Sequence, residues 1–176
     1  MLEVAVTPAD HVIGPDTARV TVVEYGDFEC SYCRIAYGAM KILLEHYGTQ
    51  VRFVYRHYPM SSWHPSAETA AECAEAAAAQ DRFWQMYRML YEHPQGLKPD
   101  ALRQYADMAG LDLDRYDRDM AEHSHLPRIR ADQQGGMRCQ VRGTPSFFVN
   151  GTVQDVTFGM ERLQRAIDTA LAAQAA

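Results

Sequence analysis

Cysteine is scarce in this chain, at four of 176 residues, and tryptophan scarcer, at two. At this length a hydrophobic core can hold a domain without disulfide staples, so so few thiols do not form a structural framework. No apolar run is long enough to cross a membrane. The start, "MLEVAVTPADHVIGPD", has neither a basic opening nor an apolar core and does not read as a signal peptide. The simplest expectation is a cytosolic protein, or a periplasmic or otherwise extracytoplasmic one if a signal had been removed. Basic residues are outnumbered 17 to 23, for a net charge of −6. With no basic stripe carrying interleaved aromatics, nucleic acid is excluded as an expected partner. There is no linker-like tract and no internal repeat. The remaining composition, 47% hydrophobic and 23% charged, is that of an ordinary globular domain.

Periodicity gives the order of elements. "RVTVVEYGD", from Arg19 to Asp27, is dense in valine and predicts a buried strand. A helix follows from about Cys30 to Gly48, with Ile35, Ala39 and Leu43, and one turn back Ala36 and Met40, as its periodic apolar positions. "QVRFVYRHY" predicts a second strand, so the opening reads β–α–β with parallel strands. Pro8, Gly14 and Pro15 mark the stretch before it as irregular. From Pro65 to Arg138 the signals are helical. An Ala/Glu-rich segment comes first, then "DRFWQMYRMLYEH", "PDALRQYADMAG" and two short segments. "GTPSFFVNGTVQDV" returns to strand chemistry, with Asn150-Gly151 as the hairpin turn, and "MERLQRAIDTALAAQ" closes as an amphipathic helix. That hairpin also accounts for the formal glycosylation sequon at Asn150.

Two of the four cysteines stand at Cys30 and Cys33, where the first strand hands over to the first helix. A thiol attacks only as the thiolate, and the unpaired N–H groups and dipole of a helix N-terminus favour that anion. The spacing places Cys33 one turn from Cys30, within reach to resolve a mixed disulfide. A zinc site would want a second CxxC or a Cys/His pair, and the other cysteines, Cys73 and Cys139, are single. Glu24 sits in the valine run, where it either lies buried below the cysteines with a raised pKa or ends the strand facing water. Thr144-Pro145 precedes a strand, which makes it a candidate cis peptide, although local sequence favours a trans turn. Tyr25, Phe28, Tyr32 and Tyr37 surround the cysteines, either as an apolar apron for substrates or as core. Cys73, among alanines, reads as a small buried thiol, with a third redox thiol at Cys139 or a Cys73–Cys139 disulfide as alternatives. His123 and His125 form at most a weak metal pair in a solvated loop.

Taken together, "VIGPDTARVTVVEYGDFECSYC", "VYRHYPM", "HPSAETAAECAEAA", "DRFW" and "VRGTPSFFVNG" resemble the DsbA-like branch of the thioredoxin superfamily over nearly the whole chain. The resemblance implies an α/β thioredoxin fold over 1–62 and 139–176, with an all-helical domain inserted at 63–138. It implies a thiol–disulfide oxidoreductase that needs no cofactor and exchanges with protein thiols and disulfides, recharged by a redox partner protein or glutathione. Cys30 would be the nucleophile, Cys33 the resolving thiol and Glu24 the buried acid. Thr144 and Pro145 would form a cis-proline loop facing the cysteines and pairing with substrate, with Tyr32 beside it. The best-known members carry Pro-His between the cysteines, whereas this chain has Ser31-Tyr32, so a milder oxidant is expected. The rival expectations are a non-enzymatic binding or chaperone module of the same fold, and a zinc-binding CxxC protein.

Overall fold

The densest β-branched run in the chain becomes the middle of a sheet. β2 (Val20–Gly26) is flanked by β3 (Val51–His57) in parallel and by β4 (Ser146–Val149) antiparallel, in a five-stranded sheet of order β1-β3-β2-β4-β5. Between β2 and β3 runs α1 (Ser31–Tyr47), which stops at Gly48, a residue with φ of 54° that suits glycine. The computed structural model describes residues 1–93, 96–157 and 159–173. Gln174, the last residue of the segment expected as the closing helix, lies outside the described residues.

The side-chain period of two splits the core into two layers. On one face Val20 and Val22 pack with Phe53, Tyr55, Phe147 and Val149, and α1 and α7 (Glu161–Ala173) cover them with Cys33, Ala36, Met40, Leu163 and Ile167. On the other face Val23, Tyr25, Val54 and Phe148 pack with Cys139 and Val141. β5 (Thr152–Gln154) follows β4 through the Asn150-Gly151 turn, both residues at positive φ, as a hairpin of this type requires.

Five helices, α2 (Ala67–Ala78), α3 (Phe83–Glu92), α4 (Pro99–Met108), α5 (Leu113–Ala121) and α6 (Leu126–Arg138), run consecutively between β3 and β4. This is the thioredoxin fold with a helical insertion that the resemblance implies. α2 is buried almost all round, because its alanines let α3, α4, α5 and α6 approach closely. Phe83, Met86, Tyr87, Leu90 and Tyr91 of α3 seal the block against the sheet, and the Tyr91 hydroxyl lies 3.1 Å from that of Tyr55.

Two expectations are corrected. The opening stretch is not wholly irregular: β1 (His11–Ile13) pairs antiparallel with β3. Three residues are too few to display a period, and their ladder partner is about forty positions away in sequence, at Phe53–Tyr55. In α1 the buried stripe is Cys33, Ala36, Met40, Leu43 and Tyr47, while Ile35 is 65% exposed. Of the positions that apolar spacing marked, packing buried Ala36, Met40 and Leu43 and left Ile35 outside.

Candidate active site

β2 ends at Gly26, where an added Cβ would stand 2.5 Å from the Tyr55 ring, so only glycine lets that ring close over the strand end. The next residue, Asp27, is buried and organises the turn into α1. Its Oδ1 accepts the Glu29 N–H at 2.8 Å; its Oδ2 accepts the Met60 N–H at 2.8 Å and lies 2.7 Å from His64 Nδ1. Its carbonyl accepts the Cys30 N–H at 3.2 Å and the Tyr91 hydroxyl at 3.4 Å. The helical insertion therefore reaches the same turn that presents the cysteines.

Cys30 is the N-cap residue of α1, with extended backbone, and Cys33 lies one turn in. Cys30 is 5% exposed and Cys33 fully buried, so the first sulfur is the one at the surface. All four cysteines are free thiols. The Cys30 thiol is held down to about 5, first by a hydrogen bond from Cys33. Burial opposes this, and Thr144 and the N–H groups of Cys33 and Tyr32 add to it. Burial pushes Cys33 well above the usual thiol range, and its bond to Cys30 reinforces the shift. One proton is thus shared in favour of Cys33, and the anion belongs to Cys30.

The alternatives for Glu24 resolve to the buried one. It is fully enclosed, both carboxyl oxygens lack a hydrogen-bond partner among the described residues, and burial, followed by the negative charge of Cys30, raises it to about 8. It lies on the face of β2 that carries Val22, the face on which Cys33 packs.

Opposite the cysteines, the Thr144–Pro145 peptide is cis, not the trans turn that local sequence favours. Cys30 Sγ lies 3.3 Å from the Thr144 carbonyl oxygen, which accepts from the thiol form, and the Thr144 hydroxyl is buried with no hydrogen-bond partner among the described residues. The pairing of Ser146 with Tyr25 brings this loop to the end of β2, although 114 residues separate Cys30 from Thr144. Beside it opens a groove of about 710 Å³ whose walls include Tyr32, Ile35, Arg142, Pro145, Val156 and Met160. Of the four aromatics around the cysteines, Tyr32 is 70% exposed, Tyr25 and Phe28 are buried and Tyr37 is half-buried. Tyr32 alone stands where an apron would have to be; core packing accounts for Tyr25 and Phe28. Ile35, expected in the core, takes their place at the groove.

The other singular residues stand apart from this site. Cys73 is enclosed in the helical block, with its S–H 3.5 Å from Met86 Sδ, and burial pushes it up to about 12. Cys139 belongs to the opposite layer, where its sulfur accepts the Glu3 N–H at 3.2 Å. A Cys73–Cys139 disulfide is therefore excluded by the layers between them, and Cys139 lies across the sheet from the reactive pair. His123 pairs with Glu72 and His125 with Asp119, so the two do not converge on one site. Among the described residues, the one group spaced to hold a metal is His11, His57 and Glu75. Both Nε2 atoms lie 2.6–2.7 Å from the same Glu75 Oε1, which are hydrogen-bond distances. Among the described residues neither Cys30 nor Cys33 belongs to such a group, so none of them adds a ligand to the CxxC for the zinc reading.

Sequence reasoning passed over Asp27 and His64. Both follow the C-terminal ends of parallel strands, the place where sites assemble in α/β sheets, and that was the available signal.

A family model described as Thioredoxin matches residues 6–169. Among curated relatives, a Na⁺/H⁺ antiporter of Salinispora arenicola is 45% identical over 93% of this chain, yet the chain spans only 25% of that protein. Among solved structures, a thioredoxin-like oxidoreductase of Silicibacter pomeroyi is 29% identical, with a TM-score of 0.79 over 93% of each chain. Wolbachia pipientis α-DsbA1 has a TM-score of 0.82 at 15% identity, covering 95% of this chain and 93% of its own. A periplasmic thioredoxin-like protein of Salmonella enterica has a TM-score of 0.73 at 20% identity, covering 94% and 92%. With that family model across its length and the DsbA-like arrangement of a helical block between the two halves of the sheet, the chain belongs to the thioredoxin family.

Proposed function

We propose that the chain is a thiol–disulfide oxidoreductase acting on protein thiols and disulfides through Cys30 and Cys33. The observation that carries this reading is the opposite displacement of two neighbouring thiols, Cys30 down to about 5 and Cys33 well up, at one helix mouth.

In the oxidising direction a substrate thiolate attacks Cys30 Sγ of the Cys30–Cys33 disulfide. The S–S bond breaks, Cys33 leaves as a thiolate and takes a proton, and Glu24, buried on the same face and able to ionise near neutral pH, is the group suited to give it. A second substrate thiolate then attacks the substrate sulfur of the mixed disulfide and releases Cys30 as an anion. Two electrons pass from the substrate sulfurs to the protein, one proton stays on Cys33 and the other thiol proton goes to solvent or restores Glu24. Reduction of a substrate disulfide is the reverse, with Cys30 attacking and Cys33 resolving. The Thr144–Pro145 loop would carry the substrate backbone, with Tyr32 and Ile35 under its side chains. A partner protein or glutathione would reset the couple. Ser31 and Tyr32 supply no cation, and hydrogen bonds do the holding instead, which supports a couple of intermediate oxidising strength.

The antiporter name belongs to proteins of which this chain spans a quarter, and no described helix is long and apolar enough to cross a membrane. The cytosolic expectation finds no support among the neighbours. The likeness to a protein described as periplasmic supports an extracytoplasmic setting, where disulfides persist.

Insulin reduction by dithiothreitol tests the proposal. Wild type is expected to accelerate it, and Cys30→Ser to lose at least about 100-fold of that acceleration, as for removal of a covalent nucleophile. Cys33→Ser should retain attack and accumulate a mixed disulfide, visible as an added substrate mass. Equal rates for wild type and Cys30→Ser would leave a binding module of the same fold as the better reading.

A further inference from the structure

The loop between β3 and α2 is clamped against the cysteine turn at three points. Asp27 Oδ2 takes the Met60 N–H and the His64 imidazole, at 2.8 and 2.7 Å, and Glu29 Oε2 accepts the Ser66 N–H at 2.6 Å. Asp27 is also the residue whose carbonyl binds the Cys30 N–H. The imidazole of His64 is therefore fixed through its Nδ1 on the segment that ends at the reactive sulfur. Its side chain is 26% exposed, and its Nε2 makes no hydrogen bond among the described residues. The adjoining Trp63 also stands exposed. Through Asp27 this loop thus ties a cation-forming ring to the turn that presents a CxxC whose two inner residues, Ser31 and Tyr32, carry no charge.

We propose that His64 is a positioning residue for the exchange reaction: held by Asp27, its imidazolium stabilises the Cys30 thiolate from outside the CxxC segment. The proposal rests on Cys30 being the exchanging thiol. The charged groups acting on His64 are Asp27, Glu29 and Cys30. Burial works against its charge, but the Asp27 hydrogen bond and charge, then the Cys30 thiolate, then Glu29, raise its pKa above the usual histidine value. Coupling between two sites is reciprocal: if the thiolate favours the imidazolium, the imidazolium favours the thiolate by the same free energy. The strongest holds on Cys30 are the hydrogen bonds from Cys33, Thr144 and the helix N–H groups, so the share of His64 is a minor one.

The test uses the full reduced chain. Cys30 is titrated by thiolate absorbance near 240 nm and by iodoacetamide, with the labelled cysteine identified by mass. His64→Asn keeps a donor toward Asp27 and removes the charge; His64→Lys restores a cation. His64→Asn is expected to move Cys30 upward by about half a unit to one unit, a roughly 3- to 10-fold smaller thiolate fraction at pH 4 to 5. At pH 6 its equilibrium with glutathione should shift by the same factor toward the oxidised protein, making it a weaker oxidant. His64→Lys should recover most of the difference. The gap in the glutathione equilibrium between wild type and His64→Asn should close as pH rises and His64 loses its proton, whereas a purely structural role would leave it at full size once both thiols are ionised. A low Cys30 pKa in wild type that is unchanged in His64→Asn, or a gap in the glutathione equilibrium that does not vary with pH, overturns the role of His64 and leaves that of Cys30 intact. A wild-type Cys30 titrating like a free thiol overturns both.

Discussion

Two glutamates are enclosed on the same side of the sheet, and they have opposite electrostatics. Glu75, on α2, accepts from His11 of β1 and His57 of β3 through one oxygen, and despite its burial those two bonds hold it below the usual carboxylate range. Glu24, on β2, has no partner for either oxygen and is lifted to about 8. Glu75 joins the helical block to the sheet. Glu24 is left unpaired among the described residues, which agrees with the proton exchange proposed for it and adds nothing to stability. The same contrast separates the cysteines: Cys73 is packed inside the helical block, with its proton held tightly, and Cys30 sits at a helix mouth, buried but for a 5% edge, with its proton loosely held.

The comparison can be broken most directly at Glu75. Glu75→Ala leaves two imidazole N–H groups enclosed without an acceptor and should destabilise the fold by about 3 kcal/mol, as urea unfolding would measure. The contribution of Glu75 is present above its ordinary pKa of 4.5 and fades only in strong acid, since its folded value is depressed. A loss of under about 1 kcal/mol would mean the cluster is not a staple.

Glu24→Leu should have the opposite sign. A carboxyl raised from 4.5 to about 8 binds its proton more tightly in the folded than in the unfolded chain, so stability falls as pH rises through that window. Replacing it should add on the order of 2 kcal/mol above pH 8 and little below pH 4.5, while slowing exchange near neutrality. In the reduced protein Cys30 works the other way, because its lowered pKa adds stability as pH rises from about 5 toward its ordinary value of 9. The oxidised form should therefore lose more stability between pH 5 and 8 than the reduced form, a difference that paired melts would record.

The smallest effect belongs at the rim. Tyr32→Ala removes an exposed ring from the groove and should leave stability within about 0.5 kcal/mol. A few-fold rise in KM for a protein substrate, with the glutathione equilibrium unmoved, would assign Tyr32 to binding alone.

Much of the fold was legible because its signals are local. The valine run of β2, the stop at Gly48 and the Asn150-Gly151 hairpin each depend on backbone preference within a few residues. The pair Cys30–Cys33 was legible for the same reason, since strand, spacing and helix start are adjacent. Ile35 misled because apolar residues on α1 span a wider arc than the face that packing buries. β1 was missed because a three-residue strand exists only through its partner.

The chain's own order of residues determined that two thiols meet at the start of a helix after a central strand, because periodicity and helix-end chemistry operate over one or two turns. Tertiary structure alone decided how those thiols ionise. Thr144 lies 114 positions from Cys30, His64 lies 37 from Asp27, and the enclosure of Glu24 needs layers from both halves of the chain. A proton's affinity depends on burial and on the charges within a few ångströms, and those neighbours are chosen by folding.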